Sequence, residues 1–298
     1  MTGLLPDALL RLPHRQEVPF ARLTTLGLGG LCHWLFEPST EAEAALFVRT
    51  CHQAGLRYRV LGGGSNLVVL GDIQEPVLRL RLKEPVIHEG GNLTAPASHG
   101  HIVLADKAAE LGLSGLEWAS GIPGSLGGAI RMNAGAHGGE WVQVLDRYRF
   151  LTPEGEVVEK RPEPGEFTYR RSWFGPSHIV LSATAALAPS DSTAIRRTMA
   201  QFQQRREGSQ PKGVRNAGCI FKNPPGLSAG RLIDEAGLKG LRVGEAEVSS
   251  LHANFLVNRG HAHPQDFAEL MAQVRERVKA VHGVELDTEV EIWGAGQD

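Results

Sequence analysis

A chain of 298 residues is long enough to bury a substantial core, and its length alone suggests roughly two domains. Its 31 Lys and Arg against 33 Asp and Glu give a formal net charge of -2, so no global basic field exists to gather nucleic acid or an anionic membrane. Any anionic ligand must meet a local site, and Cys32, Cys51 and Cys219, odd in number and without C-x-x-C spacing, suggest neither a disulfide framework nor a zinc site.

The N-terminal lead holds Leu4, Leu5, Leu9 and Leu10, but Pro6, Asp7 and Arg11 interrupt them before a signal-peptide core could form. The longest stretch free of Asp, Glu, Lys and Arg, residues 172–190, contains Gly175, Pro176 and His178, which no membrane helix favours. A cytoplasmic protein is expected. Residues 24–36 read as a glycine turn feeding a short buried strand. Thr40 and Glu43 then form a capping box for a helix whose apolar positions are Ala44, Ala45, Phe47, Val48 and Cys51, with Gly55 as its C′ residue. Residues 57–61 read as a strand, Gly62-Gly63-Gly64-Ser65-Asn66 as a loop, and residues 67–70 as a second extended run. A dinucleotide fingerprint needs a helix directly after its glycines, so this order disfavours a Rossmann NAD site. The loop can still bind phosphate through backbone N–H groups and the short side chains of Ser65 and Asn66, or it can be a plain glycine turn.

Residues 77–82 alternate as a strand, and residues 102–111 make a helical pattern ended by Gly112. Residues 115–140, GLEWASGIPGSLGGAIRMNAGAHGGE, carry glycine every few positions between the apolar anchors Ile122, Pro123, Leu126, Ile130 and Met132. Clustered glycines let a backbone approach a ligand and turn its N–H groups inward, and a pyrophosphate is the expected guest. Residues 143–160 read as a hairpin turning at Pro153-Glu154-Gly155, and residues 178–184 as a further strand. The segment 188–194, APSDSTA, has the composition of a connection between domains, after which Ser190 or Asp191 caps a helix running to about Arg206. Beyond it come the loop 217–226, a short helix 229–236, a long helix after Pro264 and a closing strand 289–293. His99 and His101, two apart with no third ligand in view, read as loop histidines, so no metal is expected.

The two glycine stretches, then YRRSWF at 169–174, AGCIFKNP at 217–224, the run 229–258 and the closing LDTEVEIWG together resemble the UDP-N-acetylenolpyruvoylglucosamine reductase family of peptidoglycan precursor synthesis, in its shorter, second type. The resemblance spans nearly the whole chain. It implies an α+β fold: an FAD-binding domain of the vanillyl-alcohol-oxidase type over 1–190, with lobes of roughly 1–75 and 76–190, and a smaller α+β substrate-binding domain over 191–298. It implies an enzyme that uses NADPH, by way of FAD, to reduce the enolpyruvyl ether of UDP-N-acetylglucosamine to UDP-N-acetylmuramate. By motif match, Gly62, Gly63, Gly64, Ser65 and Asn66 wrap the FAD pyrophosphate together with Gly121, Ile122, Pro123, Gly124, Ser125, Gly127, Gly128 and Ala129. Asn133, Ala134 and Gly135 lie near the flavin.

The resemblance further implies that Arg170 grips the substrate carboxylate and that Glu289 hydrogen-bonds the developing enolate. Cys219 stands where most members carry a proton-donating serine; a thiol, with a reference pKa of about 8.5, is mostly protonated near pH 7 and can serve as the acid. Residue type alone gives plainer readings: a surface ion pair for Arg170, a solvated strand carboxylate for Glu289, and a structural thiol for Cys219. Tyr169 and Asn223 match substrate-contacting positions, and Arg205 or Arg206 can pair with the substrate diphosphate. His137 replaces a frequent tyrosine, and SHGH at 98–101 a more glycine-rich turn. A monomer is expected. The alternatives are an oxidase of the same flavin superfamily, or a nucleotide-sugar sensor without turnover.

Overall fold

The computed structural model describes residues 5–294, so Leu4 of the apolar lead lies outside the described residues. The chain forms two compact units, each assembled from separated segments. The first gathers the described residues up to Gln16 with Trp34–Gly63 and Glu75–Gln204; the second gathers Glu17–His33, Gly64–Gln74 and the chain from Arg205 onward.

In the first unit the expected capping box forms: the Thr40 hydroxyl accepts from the Glu43 N–H, and the Glu43 carboxylate accepts from the Thr40 N–H. It starts the helix Glu41–Gln53, and Gly55, at φ +62°, follows its end. The buried stripe Ala44, Phe47, Val48 and Cys51 shares a core with Phe36 and Leu78 of short parallel strands, in which Leu35 pairs with Val77 and Val60 with Leu78. Full burial of side chains such as Phe36, Phe47, Val48 and Leu78 contributes about 1.5–3 kcal/mol each.

A five-stranded antiparallel sheet runs in the order Val157–Lys160, Leu145–Leu151, Ile179–Ala186, Asn92–Pro96 and Ile87–Glu89. Alternation along the strand sends Ile179 and Leu181 into the core beneath Glu41–Gln53 and Val180 into a second core with the helix His101–Glu110; a bulge at Leu181 then shifts the phase, so Ala183 and Ala185 join Val180 there. The unit therefore has two cores, one on each face of its sheet. The hairpin Ile87–Glu89 to Asn92–Pro96, turning at Gly90-Gly91, went unread in the sequence because its first strand is wholly exposed and shows no apolar alternation.

Residues 115–140 are not loop throughout. The helix Leu126–Arg131 rises within them, capped by Ser125, whose hydroxyl accepts from the Gly128 N–H at 3.4 Å. Leu126, Ala129 and Ile130 bury on one face, and that burial outweighs the poor helix propensity of two glycines. The segment after the sheet is pinned as well as connecting: Ala188–Pro189 pairs with Leu113–Ser114, and the Asp191 carboxylate accepts from the Ala194 N–H as the helix Ser192–Ser209 begins.

The second unit holds an antiparallel sheet ordered Arg215–Cys219, Phe255–Asn258, Ala246–Val248 and Arg242–Val243. The helices Ala229–Glu235 and Pro264–His282 share its core with Leu26, Leu28 and Val68, which arrive from distant segments. The closing strand Glu291–Trp293 pairs in parallel with Leu67–Val69. No helix among the described residues is long and apolar enough to cross a membrane. Among the same residues no group of three or more His, Cys, Asp or Glu could hold a metal ion.

Candidate active site

The two glycine stretches meet inside the first unit. A Cβ on Gly62 would lie 2.7 Å from the Ser125 hydroxyl, and one on Gly63 would lie 2.7 Å from the Gly124 Cα and 2.9 Å from the Ser125 nitrogen. At Gly63 the two backbones pass so closely that a Cβ cannot be added without moving one of them. The N–H groups of Gly62, Gly63, Gly124 and Ser125 make no hydrogen bond to a described residue. Those just downstream are spent: Leu126 donates to the His99 carbonyl and Gly127 to that of Ala97, both at 2.9 Å. The seam lines a cleft whose walls carry Arg79, Arg81, Arg131 and His178. Burial, and then the charge of Arg131, holds the His178 ring below the usual imidazole pKa, and its Nδ1 accepts from the Gly175 N–H at 3.1 Å. Sequence reasoning missed these four, since a charged residue beside an apolar strand reads as solvated.

Arg170 lies in the turn of a small hairpin between Phe167–Thr168 and Arg171–Ser172, at φ +55°. Its Nη2 donates to the Gly135 carbonyl at 2.8 Å, and its guanidinium lies 5.0 Å from the Tyr169 ring. Asn133 is fully buried at φ +42°. Its Nδ2 donates to the Glu140 carboxylate at 3.0 Å and the Thr168 carbonyl at 3.2 Å, and its Oδ1 accepts from the Val142 N–H at 3.0 Å. The structure thus brings Asn133 to Gly135 against the hairpin of Tyr169 and Arg170, and the Asn133 amide is committed to holding that arrangement. His137 stacks face to face on Phe202, with ring centroids 4.3 Å apart.

Cys219 and Glu289 belong to the second unit. Cys219 ends its strand opposite Phe255, after a bulge at which Gly218 takes φ +79°, and it is partly exposed. The next residues are clamped by buried Asn254, whose Oδ1 accepts from the Phe221 N–H at 3.0 Å and whose Nδ2 donates to the Phe221 carbonyl at 2.8 Å. Residues 220–222 then run antiparallel to 287–289: Lys222 donates to Asp287, and Glu289 donates to Ile220, each at 2.8 Å. Glu289 is therefore one strand away from the residue that follows Cys219. Its own carbonyl accepts from the Asn66 side chain at 3.2 Å, which ties the end of the first glycine loop to the same strand. Asn223 caps the following loop, its Oδ1 accepting from the Ala229 N–H at 3.0 Å. Of the two neighbouring arginines, Arg205 is exposed, whereas Arg206 is partly buried, and burial lowers its pKa against an opposing pull from nearby Cys219.

Residues 33–160 match the model of an FAD binding domain, and residues 210–293 match the C-terminal domain of UDP-N-acetylenolpyruvoylglucosamine reductase. A reductase of that name from Symbiobacterium thermophilum is 41% identical over 94% of this chain and 92% of its own length; one from Limosilactobacillus fermentum is 40% identical over 94% of each. The chain belongs to the UDP-N-acetylenolpyruvoylglucosamine reductase family. A crystal structure of the Thermus caldophilus member, 40% identical, covers 95% of this chain and all of its own with a TM-score of 0.83. The fold is accordingly α+β, with an FAD binding domain and the C-terminal domain of the reductase family. The residues present fit the family's cofactor, since the close approach of Gly63 to Gly124 and Ser125 brings unengaged N–H groups together at one seam, and Arg79, Arg81 and Arg131 line the adjoining cleft.

Proposed function

We propose that this chain is the reductase of its family, an FAD enzyme that uses NADPH to convert the enolpyruvyl ether of UDP-N-acetylglucosamine into UDP-N-acetylmuramate for peptidoglycan synthesis. The observation that carries this reading is the family membership over nearly the full chain, joined to the glycine seam at Gly62-Gly63 and Gly124-Ser125. FAD, when bound, would supply the reducing equivalents that NADPH provides, and Gly62 to Asn66 with Gly121 to Ala129 would hold its pyrophosphate. Gly135, bonded through its carbonyl to Arg170, keeps the flavin side of the site next to that arginine.

Arg170 orients the substrate by its carboxylate and stabilises negative charge as it develops there, because a guanidinium is always charged and its planar fork matches a carboxylate. Glu289 hydrogen-bonds the enolate oxygen. Cys219 gives its Sγ proton to the carbon that bears the ether and carboxylate, completing the saturated lactyl product. Tyr169, Asn223 and one of Arg205 and Arg206 contact the nucleotide sugar. We further take 1–190 as the FAD-binding part and 191–298 as the substrate-binding part, consistent with the two matched regions falling on either side of residue 190. The protein acts as a cytoplasmic monomer.

A yellow purified protein, bleached anaerobically by NADPH and re-oxidised by the enolpyruvyl substrate, is the expected result. Bleaching without re-oxidation by that substrate refutes the reading. For the proton donor, Cys219→Ser should keep substantial activity, while Cys219→Ala should lose about 10²-fold or more in the substrate half-reaction. Full turnover in the alanine variant removes Cys219 from the chemistry.

A further inference from the structure

We propose that Arg79 is a ligand of the FAD pyrophosphate, supplying a counter-charge that the backbone N–H groups of the glycine seam cannot. This inference rests on the flavin reading above and adds a residue outside both glycine motifs. Arg79 lines the cleft that Gly62, Gly63 and Ser125 also line, and its side chain is partly buried. The neighbouring cations have partners: Arg81 donates to Glu37 at 2.9 Å, and Arg131 to the Gly175 carbonyl at 2.9 Å. The Arg79 backbone N–H donates to the Phe36 carbonyl at 2.8 Å, but its guanidinium makes no hydrogen bond or ion pair with a described residue.

The local charge balance leaves Arg79 uncompensated. Glu37 is the carboxylate that attracts it most, and Glu37 is already shared by Arg15 at 2.8 Å and Arg81 at 2.9 Å. Burial, then repulsion from Arg81, pulls the Arg79 guanidinium below its ordinary pKa, and the attraction of Glu37 does not make up the difference. A half-desolvated cation beside like charges is unfavourable until an anion arrives. A phosphate seated on the N–H groups of Gly62 and Gly63 is such an anion, and a guanidinium grips phosphate with paired charge-assisted hydrogen bonds. The remaining walls include Leu61, Leu80 and Val180, apolar surface suited to the less polar parts of a dinucleotide.

The test uses the FAD-loaded enzyme and reads flavin release, not turnover. After dilution, the fluorescence of freed flavin gives the release rate for wild type, Arg79→Met and Arg79→Lys. We expect Arg79→Met to release FAD roughly 10- to 100-fold faster. Raising salt from about 0.05 to 0.5 M should speed release from wild type clearly more than from Arg79→Met, because the variant keeps only Arg81 and Arg131, which already have partners, for screening to weaken. Arg79→Lys should recover part of the salt response without the full affinity, and it carries the test if the methionine variant fails to fold. Equal release rates in wild type and Arg79→Met overturn the assignment. So does faster release in Arg79→Met with the wild-type salt response. A wild-type protein that carries no FAD and takes none up overturns the flavin reading instead.

Discussion

Arg170 sits at φ +55°, in the left-handed region that costs a non-glycine residue about 1–2 kcal/mol, at a turn position where glycine is the ordinary choice. An arginine kept there at such a cost points to a role for its side chain, here held by the Gly135 carbonyl. Replacing it with glycine or alanine removes the same guanidinium. Arg170→Gly should nevertheless be more stable than Arg170→Ala by about 1 kcal/mol, while both lose turnover; equal midpoints in denaturant would show that the backbone there is not strained. His101 offers a second test. It is 1% exposed, its Nε2 accepts from the Trp141 indole N–H at 2.9 Å, and burial pushes its pKa down to about 4. The unfolded chain, with a histidine pKa of about 6.5, binds a proton that the folded chain refuses, so stability should fall as pH drops from about 6.5 to 4. The loss should approach ~3 kcal/mol and level off below that window, and His101→Gln should remove this component from the unfolding free energy against pH. Motif spacing made Arg170, Cys219 and Glu289 legible as candidates. It could not reveal that Asn133 turns its amide inward onto Glu140, Thr168 and Val142, because those partners are set by the fold and not by neighbours in the chain.

Among elements, the glycine seam is the most constrained. Gly63→Ala must push apart Gly63 and the backbone of Gly124 and Ser125, which should cost about 1–3 kcal/mol and release FAD. Gly55→Ala is the control: nothing lies within 4 Å of its Cβ position, so only the cost of φ +62° remains and FAD retention should be unchanged. Thermal midpoints and flavin content of the two variants decide the matter; retention of FAD by Gly63→Ala would mean that the seam relaxes without loss. The helix Glu41–Gln53 was legible because its cap, its stripe and its end signal agree locally. The helix Leu126–Arg131 was not, since Gly127 and Gly128 argue against it and only burial of Leu126 and Ile130 overrides them.

At the scale of the molecule, the two units interleave along the sequence. The second takes Leu26, Leu28 and Val68 into its core, each at most 3% exposed, and its closing strand needs Leu67–Val69 as a partner. A fragment of residues 191–298 lacks all of these. Expressed alone it should show no cooperative thermal transition and should bind hydrophobic dyes, whereas a sharp transition would mean that the C-terminal segment supplies its own core. Composition hinted at a boundary near 188–194 but gave no sign of this interleaving, because which distant strand pairs with which leaves no local mark. The same interleaving imposes an order in time during synthesis. Phe20 meets the Trp293 ring edge-on, centroids 5.9 Å apart, so on a ribosome moving at about 5–20 residues per second the earlier residue waits roughly 10–60 s for its partner. The segments of the first unit are all made once Gln204 has been synthesised, so through that delay the nascent chain must carry Leu26, Leu28 and the strand Leu67–Val69 as apolar surface not yet covered by the C-terminal core.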